Sequence, residues 1–423
     1  MKILIAHPYH QHEYRLVKAL MLAGHQVELA TTVYMKPKSL TAIVSRLLPN
    51  RFSERAIVHR DDGIPDKNVI QFCEVGGLIR LFLRSFPKFS KIHQSYFYKL
   101  SDSFAKKVAR YADKIKYDIV ITYDNLSPIL FETLKNTSPY ITRIMDVSSA
   151  NIVYMKTIYE NDTHLAPSFA DRLKKERAIC WDQGILNRVS MEIGASQKFL
   201  IPSKFVAKSL AYSGIKDDQM MICPYGVDIS EFSPKETIKT SNLPLHFIYV
   251  GGVKELKGVA YLFDAFTEIP KDLATLTVVG NYCSSDPDIL CYKNRIEFIG
   301  NIIHSKIAAE LQKADVFVFA SLGEGLSLST LEAAACGLPL IVTENSGVND
   351  AMQDGIEGFV IPIQSKEAIK EKVLWFIDHK DKIASMGRAA RELAEKYSWN
   401  EYERKIEELF GSLDIYENHP SGR

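Results

Sequence analysis

The sequence lacks the features that define several large classes of protein. It has no run of apolar residues near the roughly 18 that a membrane-spanning helix needs, and its start does not resemble a signal peptide. Its 52 Lys and Arg are balanced by 51 Asp and Glu, so no overall positive charge favours nucleic-acid binding. Only 22 glycines and 17 prolines occur in 423 residues, which excludes collagen-like and low-complexity chains. We expect a globular protein of the cytoplasm, or one held peripherally on the inner face of the plasma membrane.

Cysteine is scarce and dispersed along the chain. The six cysteines, none of which belongs to a C-x-x-C pair, are Cys73, Cys180, Cys223, Cys283, Cys291 and Cys336. Disulfide frameworks and zinc sites usually show closer and more regular spacing. We therefore interpret the cysteines as free thiols and predict no metal site.

Short β-branched runs alternate with helical segments along most of the chain. The strand candidates are Lys2–Ala6, Val27–Thr32, Asp118–Tyr123, Tyr140–Met145, Phe199–Pro202, Phe247–Val250, Leu276–Val279, Glu297–Ile299, Val316–Ala320, Pro339–Thr343 and Gly358–Ile361. Most are continuously apolar, as expected for parallel strands that are covered on both faces. They are too many for one small open sheet. The sequence therefore predicts an α/β protein with two Rossmann-like, doubly wound parallel-sheet domains that face a cleft.

Turn and linker residues place the boundary between the two domains. The turn Pro224-Tyr225-Gly226 and a polar stretch after it predict a hinge over residues 224–244. The first domain is then predicted over 1–223 and the second over 245–397. A last helical segment, residues 398–413, follows; its apolar pattern leaves open whether it packs on the second domain or back on the first.

One part of the first domain is strongly basic. Between Lys36 and Lys116 the chain has 17 Lys and Arg against 7 Asp and Glu. This window contains two apolar segments with interspersed arginine, residues 40–48 and 78–86. Such segments are typical of helices that lie on anionic membranes, although a core-packed helix whose arginines reach solvent would show the same pattern. Residues 36–116 are thus a candidate membrane-facing surface.

The most informative stretch runs from Ser321 to Ile341, where a strand, a loop of small residues, a helix and another strand are predicted. Gly323 and Gly325 allow close backbone approach. Ser327 or Ser329 can cap the helix, which leaves free N–H groups at its positive end. This arrangement predicts an anion site suited to the phosphates of a nucleotide.

Two carboxylates accompany this phosphate site. Glu324 lies in the loop and Glu332 in the helix. Carboxylates accept hydrogen bonds from ribose and sugar hydroxyls, so the combination favours a nucleotide sugar as ligand. The alternative is that Glu324 only helps to cap the helix and that Glu332 is an ordinary solvated helix residue.

The pattern Glu324-x7-Glu332, with Gly325, Gly337 and Pro339, resembles the E-x7-E signature of retaining GT-B glycosyltransferases of the family 4 type. Further segments resemble motifs of that family and occur in its order: Pro224-Tyr225-Gly226-Val227-Asp228, Tyr249-Val250-Gly251-Gly252, Lys257-Gly258, Glu297-Phe298-Ile299-Gly300, Ser346-Gly347-Val348-Asn349-Asp350 and Asp354-Gly355-Ile356-Glu357-Gly358. The resemblance extends from about Phe199 to Pro362.

The resemblance implies a metal-independent, retaining hexosyltransferase that needs no cofactor and uses a sugar nucleotide, with UDP or GDP, as substrate. Glu324 would contact the donor sugar at the reaction centre, Glu332 would hold the ribose, and Lys257 would neutralise the diphosphate. The implied donor-binding set is Gly251, Gly252, Lys257, Gly300, Glu324, Gly325, Leu326, Ser327, Leu328, Ser329 and Glu332.

Two positions depart from the family. Gly252 stands where the family usually has arginine, and Lys254 or Arg295 are the cations considered as replacements. Met145-Asp146 stands where many members have His-Asp, so the resemblance carries over a catalytic role only to Asp146.

The loop after the first strand contains His7, His10 and His12. Their spacing matches no known metal motif, and the carboxyl ends of parallel strands are where ligands of such folds lie. We predict that these histidines line the cleft near the acceptor or diphosphate. Asp124, at the end of another strand, either faces the acceptor or stabilises a turn.

The sequence therefore predicts transfer of a sugar to a hydroxyl of an acceptor, with a lipid-linked or cell-surface glycan precursor as the acceptor class. Two alternatives stay open. One is a non-catalytic GT-B binding or scaffold protein; the other is an isomerase that resembles sugar-nucleotide 2-epimerases and needs no acceptor.

Overall fold

Parallel strands form two separate sheets in the computed structural model, which describes residues 1–9, 12–47, 59–86, 89–124, 126–234 and 244–413. The first sheet contains β1 Lys2–Ala6, β2 Gln26–Thr31, β3 Val69–Gln71, β4 Ile119–Tyr123, β5 Thr142–Asp146, β6 Lys198–Ile201 and β7 Met220–Ile222. The second contains β8 Leu245–Val250, β9 Ala274–Val279, β10 Glu297–Gly300, β11 Val316–Phe319, β12 Leu340–Thr343 and β13 Gly358–Ile361. His10 and residues 235–243 of the predicted hinge lie outside the described residues.

Helices cover both sheets. In the first half of the chain they are α1 Glu13–Leu22, α2 Leu40–Leu47, α3 Glu74–Arg84, α4 Ser90–Ile115, α5 Ile129–Thr137, α6 Ile152–Leu165, α7 Ala170–Glu176, α8 Gln183–Ala195 and α9 Lys204–Ala211. In the second half they are α10 Val259–Thr267, α11 Pro287–Leu290, α12 Ile307–Leu311, α13 Leu328–Ala335, α14 Lys366–Asp378, α15 Ile383–Glu395 and α16 Trp399–Gly411.

Both sheets have the doubly wound strand order. The first is ordered β3-β2-β1-β4-β5-β6-β7 and the second β10-β9-β8-β11-β12-β13. The order reverses beside β1 in one sheet and beside β8 in the other, and ligands of such sheets bind outside the carboxyl ends of the strands at that point. The prediction of two Rossmann-like α/β domains is confirmed.

The sequence missed two strands, β3 and β7, which lie at the two edges of the first sheet. Each has three residues. Three residues are too few to show an apolar run or an alternation, so a periodicity argument has no signal to read. Their pairing with β2 and β6 is what makes them strands.

The last helix, α16, packs against α1 of the first domain. Its buried side chains are Tyr402, Ile406 and Phe410, which belong to the same apolar cluster as β1 and α1. Val227, just after the first sheet, pairs with Ser398 at the start of this helix. The chain therefore crosses back from the second domain to the first.

Both apolar, arginine-containing segments of the basic window fold as helices, α2 and α3. On α3, Val75, Ile79 and Phe82 are 58, 44 and 50 % exposed and form one stripe, which we call the α3 face. Arg80 points the other way, with its guanidinium 3.6 Å from the ring centroid of Tyr9, and burial lowers its pKa to about 10. Arg80 thus does not reach toward solvent as the pattern predicted. None of the described helices is both long and apolar enough to cross a membrane.

Candidate active site

Glu324 lies in the loop that leaves β11 at the carboxyl edge of the second sheet. Its backbone N–H donates to the carbonyl of Asn345 at 2.8 Å, and the Ser321 hydroxyl donates to its Oε1 at 2.7 Å. The same oxygen pairs with the ammonium group of Lys257. These contacts hold the half-buried carboxylate in one orientation.

Lys257 reaches Glu324 from the loop after β8. It ends a short 3-10 turn, Glu255–Lys257, and is followed by Gly258 at φ +64°. A Cβ at position 258 would lie 2.0 Å from the carbonyl oxygen of Ala320. Glycine is therefore required for the lysine loop to pack against the end of β11.

The Glu324 loop also packs against the first domain. A Cβ on Gly325 would lie 1.8 Å from the carbonyl oxygen of Ser148, and one on Gly323 would lie 2.6 Å from Cε of Met155. Ser148 follows β5, and Met155 belongs to α6. The carboxylate thus lies where the two domains meet, as the prediction of a facing cleft requires.

Helix α13 begins directly after this loop. Ser327 is its N-cap, with its hydroxyl oxygen accepting the Thr330 N–H at 3.4 Å; Ser329 lies inside the helix. Leu326 is buried, whereas Leu328 is 41 % exposed. The first N–H groups of the helix therefore stand beside Glu324, in the position that an anion would use.

Glu332 is held by a partner that the sequence did not reveal. Nε2 of His304 lies 3.0 Å from Oε1 of Glu332, and Nδ1 of His304 lies 3.5 Å from Oε1 of Glu231. Burial raises the pKa of Glu332, and His304 opposes that rise. The pKa of His304 is raised: burial acts to lower it, but Glu332 and Glu231 outweigh that effect. His304 is 28 residues away in the sequence, so no local motif pointed to it.

The first domain contributes a second polar cluster, at the ends of β4 and β5. Nε2 of His12 lies 3.1 Å from Oδ2 of Asp146 and 3.2 Å from the hydroxyl oxygen of Tyr225. Burial acts to lower the pKa of His12, but the charge and hydrogen bond of Asp146 raise it overall. His12 and Asp146 therefore form an ion pair when the imidazole is protonated.

His7 is placed differently from the prediction. Its side chain is only 2 % exposed, and its ring packs edge-on against Tyr123 at 4.7 Å between centroids. Nδ1 lies 3.8 Å from Oε2 of the buried Glu13. His7 therefore packs beneath the cleft instead of lining it.

Asp124 organises the backbone that the Glu324 loop contacts. Its Oδ1 accepts the N–H and the hydroxyl of Ser148, both at 3.3 Å, and its Oδ2 accepts the Ser149 hydroxyl at 3.4 Å. Burial raises the pKa of Asp124 to about 6; hydrogen bonds from Ser148 oppose the rise, and Asp146 adds to it. These contacts are those expected of a residue that stabilises a turn, and a role of Asp124 toward an acceptor stays a prediction.

Known proteins resemble the second domain in sequence. Residues 244–379 match the sequence profile of the family described as "Glycosyl transferases group 1". This segment is thus similar to the group 1 glycosyltransferases.

Relatives in sequence match about half of the chain. An uncharacterized glycosyltransferase of Methanocaldococcus jannaschii is 25 % identical over 50 % of this chain and 57 % of its own length. The sulfoquinovosyl transferase of Arabidopsis thaliana is 28 % identical over 50 % of this chain and 44 % of its own length. The chain thus spans about half the length of the curated relatives that it matches.

Solved structures match almost the whole chain in fold. Sucrose-phosphate synthase from Thermosynechococcus elongatus superimposes with a TM-score of 0.68 at 18 % identity, over 97 % of this chain and 98 % of the other. Anabaena HepE in complex with UDP-glucose gives 0.59 at 15 % identity, over 98 % and 100 %. The fold is GT-B.

The remaining donor-site predictions can be placed on this GT-B fold. Gly251 and Gly252 follow β8, and Gly300 ends β10 at φ +88°. A Cβ on Gly280 would lie 1.9 Å from the carbonyl oxygen of Gly251, so these loops are closely packed. The predicted donor residues lie at the carboxyl ends of β8, β10 and β11 in the second sheet, or in the loops and the helix that follow these ends. Among the described residues, no group of three or more His, Cys, Asp and Glu is arranged to hold a metal ion.

Gly252 stands where the family that the sequence resembles usually has an arginine, and Lys254 and Arg295 are the cations considered as replacements. Arg295 cannot provide this cation, because its guanidinium donates to the carbonyls of Ile269 and Ala274 at 2.7 and 3.0 Å. Ala274 is the first residue of β9, so Arg295 is held at the amino ends of the strands, whereas Gly252 lies at their carboxyl ends. Lys254 runs beside this position, with Cε 3.9 Å from where a Cβ of residue 252 would lie.

Arg177, from the first domain, is a second candidate that the sequence did not suggest. Its guanidinium lies 5.6 Å from the ring centroid of Tyr159. Burial acts to lower its pKa, but Tyr159, Cys180 and Glu324 raise it overall. Its charge is therefore close enough to interact with Glu324.

Proposed function

We propose that this protein transfers a sugar, with retention of its anomeric configuration, from a nucleoside-diphosphate sugar to an acceptor hydroxyl. The observation that carries the proposal is the Lys257–Glu324 pair at the domain interface, beside the N-terminus of α13. The glycosyltransferase relatives support it, and so do the complexes of HepE with UDP and with UDP-glucose. UDP is therefore the first nucleotide to test, and GDP the second.

The pair suits the charges that develop during transfer. When the bond between the sugar and the diphosphate breaks, negative charge grows on the leaving phosphate oxygens. Lys257 is held at the site where that charge would appear, and the N–H groups of α13 add to its effect. Glu324 would accept hydrogen bonds from hydroxyls of the donor sugar, while the leaving phosphate takes the proton of the acceptor hydroxyl. No metal ion is needed in this scheme.

Glu332 would hold the ribose. Its carboxylate lies in the second turn of α13, and His304 already orients one of its oxygens at 3.0 Å. The other carboxylate oxygen remains for the ribose hydroxyls. His304 would thus set the direction in which the ribose is bound.

On the acceptor side we assign Asp146 the central role. Its carboxylate ends β5 on the opposite side of the cleft from Glu324, and His12 and Tyr225 gather at it. His12, the residue before α1, then supplies the imidazole that the family usually presents beside the aspartate. Protonated His12 pairs with the Asp146 carboxylate, which can also accept a hydrogen bond from a sugar hydroxyl.

We further propose that the acceptor is lipid-linked and that the α3 face contacts an anionic membrane. Val75, Ile79 and Phe82 are exposed on one side of α3, Arg84 and Arg46 are exposed near the same helices, and the surrounding window carries 17 basic against 7 acidic residues. An apolar helix face with a cationic rim fits an anionic lipid surface.

Flotation with vesicles tests the membrane proposal. We expect the protein to float with vesicles of equal parts phosphatidylglycerol and phosphatidylcholine at low salt, and to remain unbound with phosphatidylcholine alone. The variant Ile79→Ser/Phe82→Ser should lose flotation. Leu290→Ser is the matched control, since Leu290 is 45 % exposed on the second domain. Equal flotation of all three proteins would contradict the proposal.

Nucleotide binding tests the transfer proposal. UDP, GDP, CDP and ADP are compared by thermal shift on wild type and on Glu332→Ala. A ligand at 100 times its dissociation constant adds about 2.7 kcal/mol, which raises the melting temperature by roughly 5–10 °C if the domain that binds it unfolds as a unit of about 150–250 residues. We expect one nucleotide to shift wild type and not Glu332→Ala.

Activity then separates the transferase from its alternatives. Glu324→Gln should still bind the nucleotide but lose sugar transfer. Gly252 and Met145, which depart from the family, favour the non-catalytic alternative, and that alternative predicts nucleotide binding without release of nucleoside diphosphate from any donor. Isomerisation of the donor sugar without an acceptor would instead support the epimerase-like alternative.

A further inference from the structure

Two buried carboxyl groups meet where the first domain contacts the Lys257 loop. Asp162 belongs to α6 of the first domain, and Glu255 lies two residues before Lys257 in the second. Their residues are 1 and 0 % exposed. The two carboxyl groups are within hydrogen-bonding contact of each other.

Of the four carboxyl oxygens of this pair, two accept hydrogen bonds from surrounding donors. Oδ1 of Asp162 accepts the Tyr261 hydroxyl at 2.7 Å and the Gln364 amide at 3.1 Å. Oε2 of Glu255 accepts the Ala260 N–H at 3.2 Å. Among the described residues no donor reaches Oδ2 of Asp162 or Oε1 of Glu255. A single proton between these two oxygens would satisfy both, whereas two buried carboxylates facing each other would be strongly unfavourable.

The surrounding charges favour that proton. Burial raises the pKa of both Asp162 and Glu255. From α7, Glu176 raises the pKa of Glu255 further and Arg172 lowers it, but Arg172 is engaged by Glu176 at 3.1 Å and by Asp286 at 3.0 Å. The other titratable groups close to Glu255 are Tyr249, Tyr261 and Tyr292.

The pair is attached directly to the lysine loop. Oε2 of Glu176 accepts the backbone N–H of Glu255 at 2.8 Å. The first domain therefore contacts this turn twice: Glu176 binds the backbone of Glu255, and Asp162 contacts its side chain. Release of the Glu255 side chain would free one of these two attachments. The ammonium of Lys257 follows this turn directly.

We propose that Asp162 and Glu255 share one proton across the domain interface and that this pair positions the Lys257 loop. That this loop serves a donor diphosphate rests on the proposed function; the shared proton does not. Asp162 and Glu255 are positioning residues, because they act on the site through Lys257.

The shared proton makes folding depend on pH in a defined direction. The folded chain holds one proton that the unfolded chain releases above the ordinary carboxyl pKa of about 4. This stabilisation is complete below that pH and is lost as the pH rises toward the raised pKa of the pair. Over that range the unfolding constant rises about tenfold per pH unit because of this proton.

The substitution Asp162→Asn replaces the proton with a permanent donor. The side-chain oxygen of the introduced asparagine still accepts hydrogen bonds from Tyr261 and Gln364, and its amide nitrogen donates to Oε1 of Glu255. Glu255→Gln does the same from the other side. The double variant places two amide NH₂ groups face to face, so its loss of stability should exceed the sum of the two single effects, an outcome that additive substitutions would not produce.

Urea unfolding, followed by tryptophan fluorescence from about pH 6 to about pH 9, tests the shared proton. We expect the unfolding constants of wild type and Asp162→Asn to diverge by up to about tenfold per pH unit until the pair deprotonates. Parallel pH dependences, or a double variant whose loss of stability is no larger than the sum of the two single effects, would overturn the inference.

Hydrogen exchange of residues 254–258, compared between wild type and Asp162→Asn at the same alkaline pH, tests the positioning role without any ligand. We expect severalfold slower exchange in the variant, and equal exchange would overturn this part. UDP binding is measured separately. If the proton linkage is found but no nucleotide binds, the proposed function falls and the shared proton stands; if UDP binds and the linkage is absent, the reverse holds.

Discussion

The ammonium group of Lys257 is paired with the carboxylate of Glu324, and the Ser321 hydroxyl fixes the same carboxylate oxygen at 2.7 Å. Lys257 follows β8 and Glu324 follows β11, so the pair links two neighbouring strands at their carboxyl ends. The cation is thus held in place by the protein itself. Such preorganisation is what makes a charged group effective in stabilising a transition state.

Removing this cation should abolish most of the sugar transfer. Lys257→Met keeps the length of the side chain but has no charge, and we expect the turnover number to fall about 10²–10³-fold, the loss typical of a preorganised group that stabilises developing charge. Initial rates with saturating UDP-sugar measure it. Lys313→Met, a change at an exposed lysine paired with Glu310, is the control and should leave the rate unchanged. A Lys257→Met enzyme of normal rate would remove Lys257 from the mechanism.

Adding the missing family arginine should strengthen nucleotide binding. A Cβ at position 252 meets nothing closer than the Lys254 side chain at 3.9 Å, so Gly252→Arg has room. We expect about tenfold tighter UDP binding, since a charge-assisted hydrogen bond contributes roughly 1.5–3 kcal/mol. Calorimetric titration measures it. Lys254→Met and Arg177→Met, compared in the same assay, show which of the two cations serves in the natural protein.

Gly325 should tolerate no side chain. In Gly325→Ala the new methyl group would lie 1.8 Å from the Ser148 carbonyl oxygen, and backbone cannot yield as a flexible side chain does. We expect the two domains to separate there and kcat/KM to fall at least about 100-fold, because contact between the domains excludes water from the site. Gly323→Ala is the matched comparison: the nearest atom to its methyl group is Cε of the flexible Met155 side chain, so its loss should be much smaller. Similar losses in both variants would contradict this interpretation.

Nucleotide binding should become more sensitive to acid when His304 is removed. Burial raises the pKa of Glu332, and His304 holds that rise in check. In His304→Ala the pKa of Glu332 rises further, so the carboxylate that accepts the ribose hydroxyls protonates at higher pH. We expect UDP affinity to be lost at a higher pH in His304→Ala than in wild type as the pH falls. Titrations at a series of pH values measure the shift, and superimposable profiles would rule out the role of His304.

The packing of α16 on the first domain should contribute to that domain's stability. Ile406 is fully buried between the helix and the first domain, and replacing a buried isoleucine with alanine costs about 2–5 kcal/mol. We expect that loss for Ile406→Ala in urea unfolding. Glu407→Ala, at the neighbouring exposed position, should change stability by less than about 0.5 kcal/mol. Equal effects of the two substitutions would mean that the helix is only loosely attached.

Much of the architecture could be read from local patterns. Continuously apolar runs identified the long strands because each run is a property of a few consecutive residues. Glu324, Gly325 and Glu332 could be recognised together because one loop and one helix carry them at fixed spacing. The edge strands β3 and β7 escaped because three residues give no periodic signal.

What the tertiary structure alone decided are the contacts between residues far apart in the chain. Four such features depend on how complete elements pack: the pairing of His304 with Glu332, the contact of Asp162 with Glu255, the burial of His7, and the position of Arg295 at the amino ends of the strands of its sheet. A local pattern determines the conformation of its own segment, because backbone propensity and periodicity act over a few residues. Which side chains face each other across two domains is set by the packing of both, and no single segment contains that information.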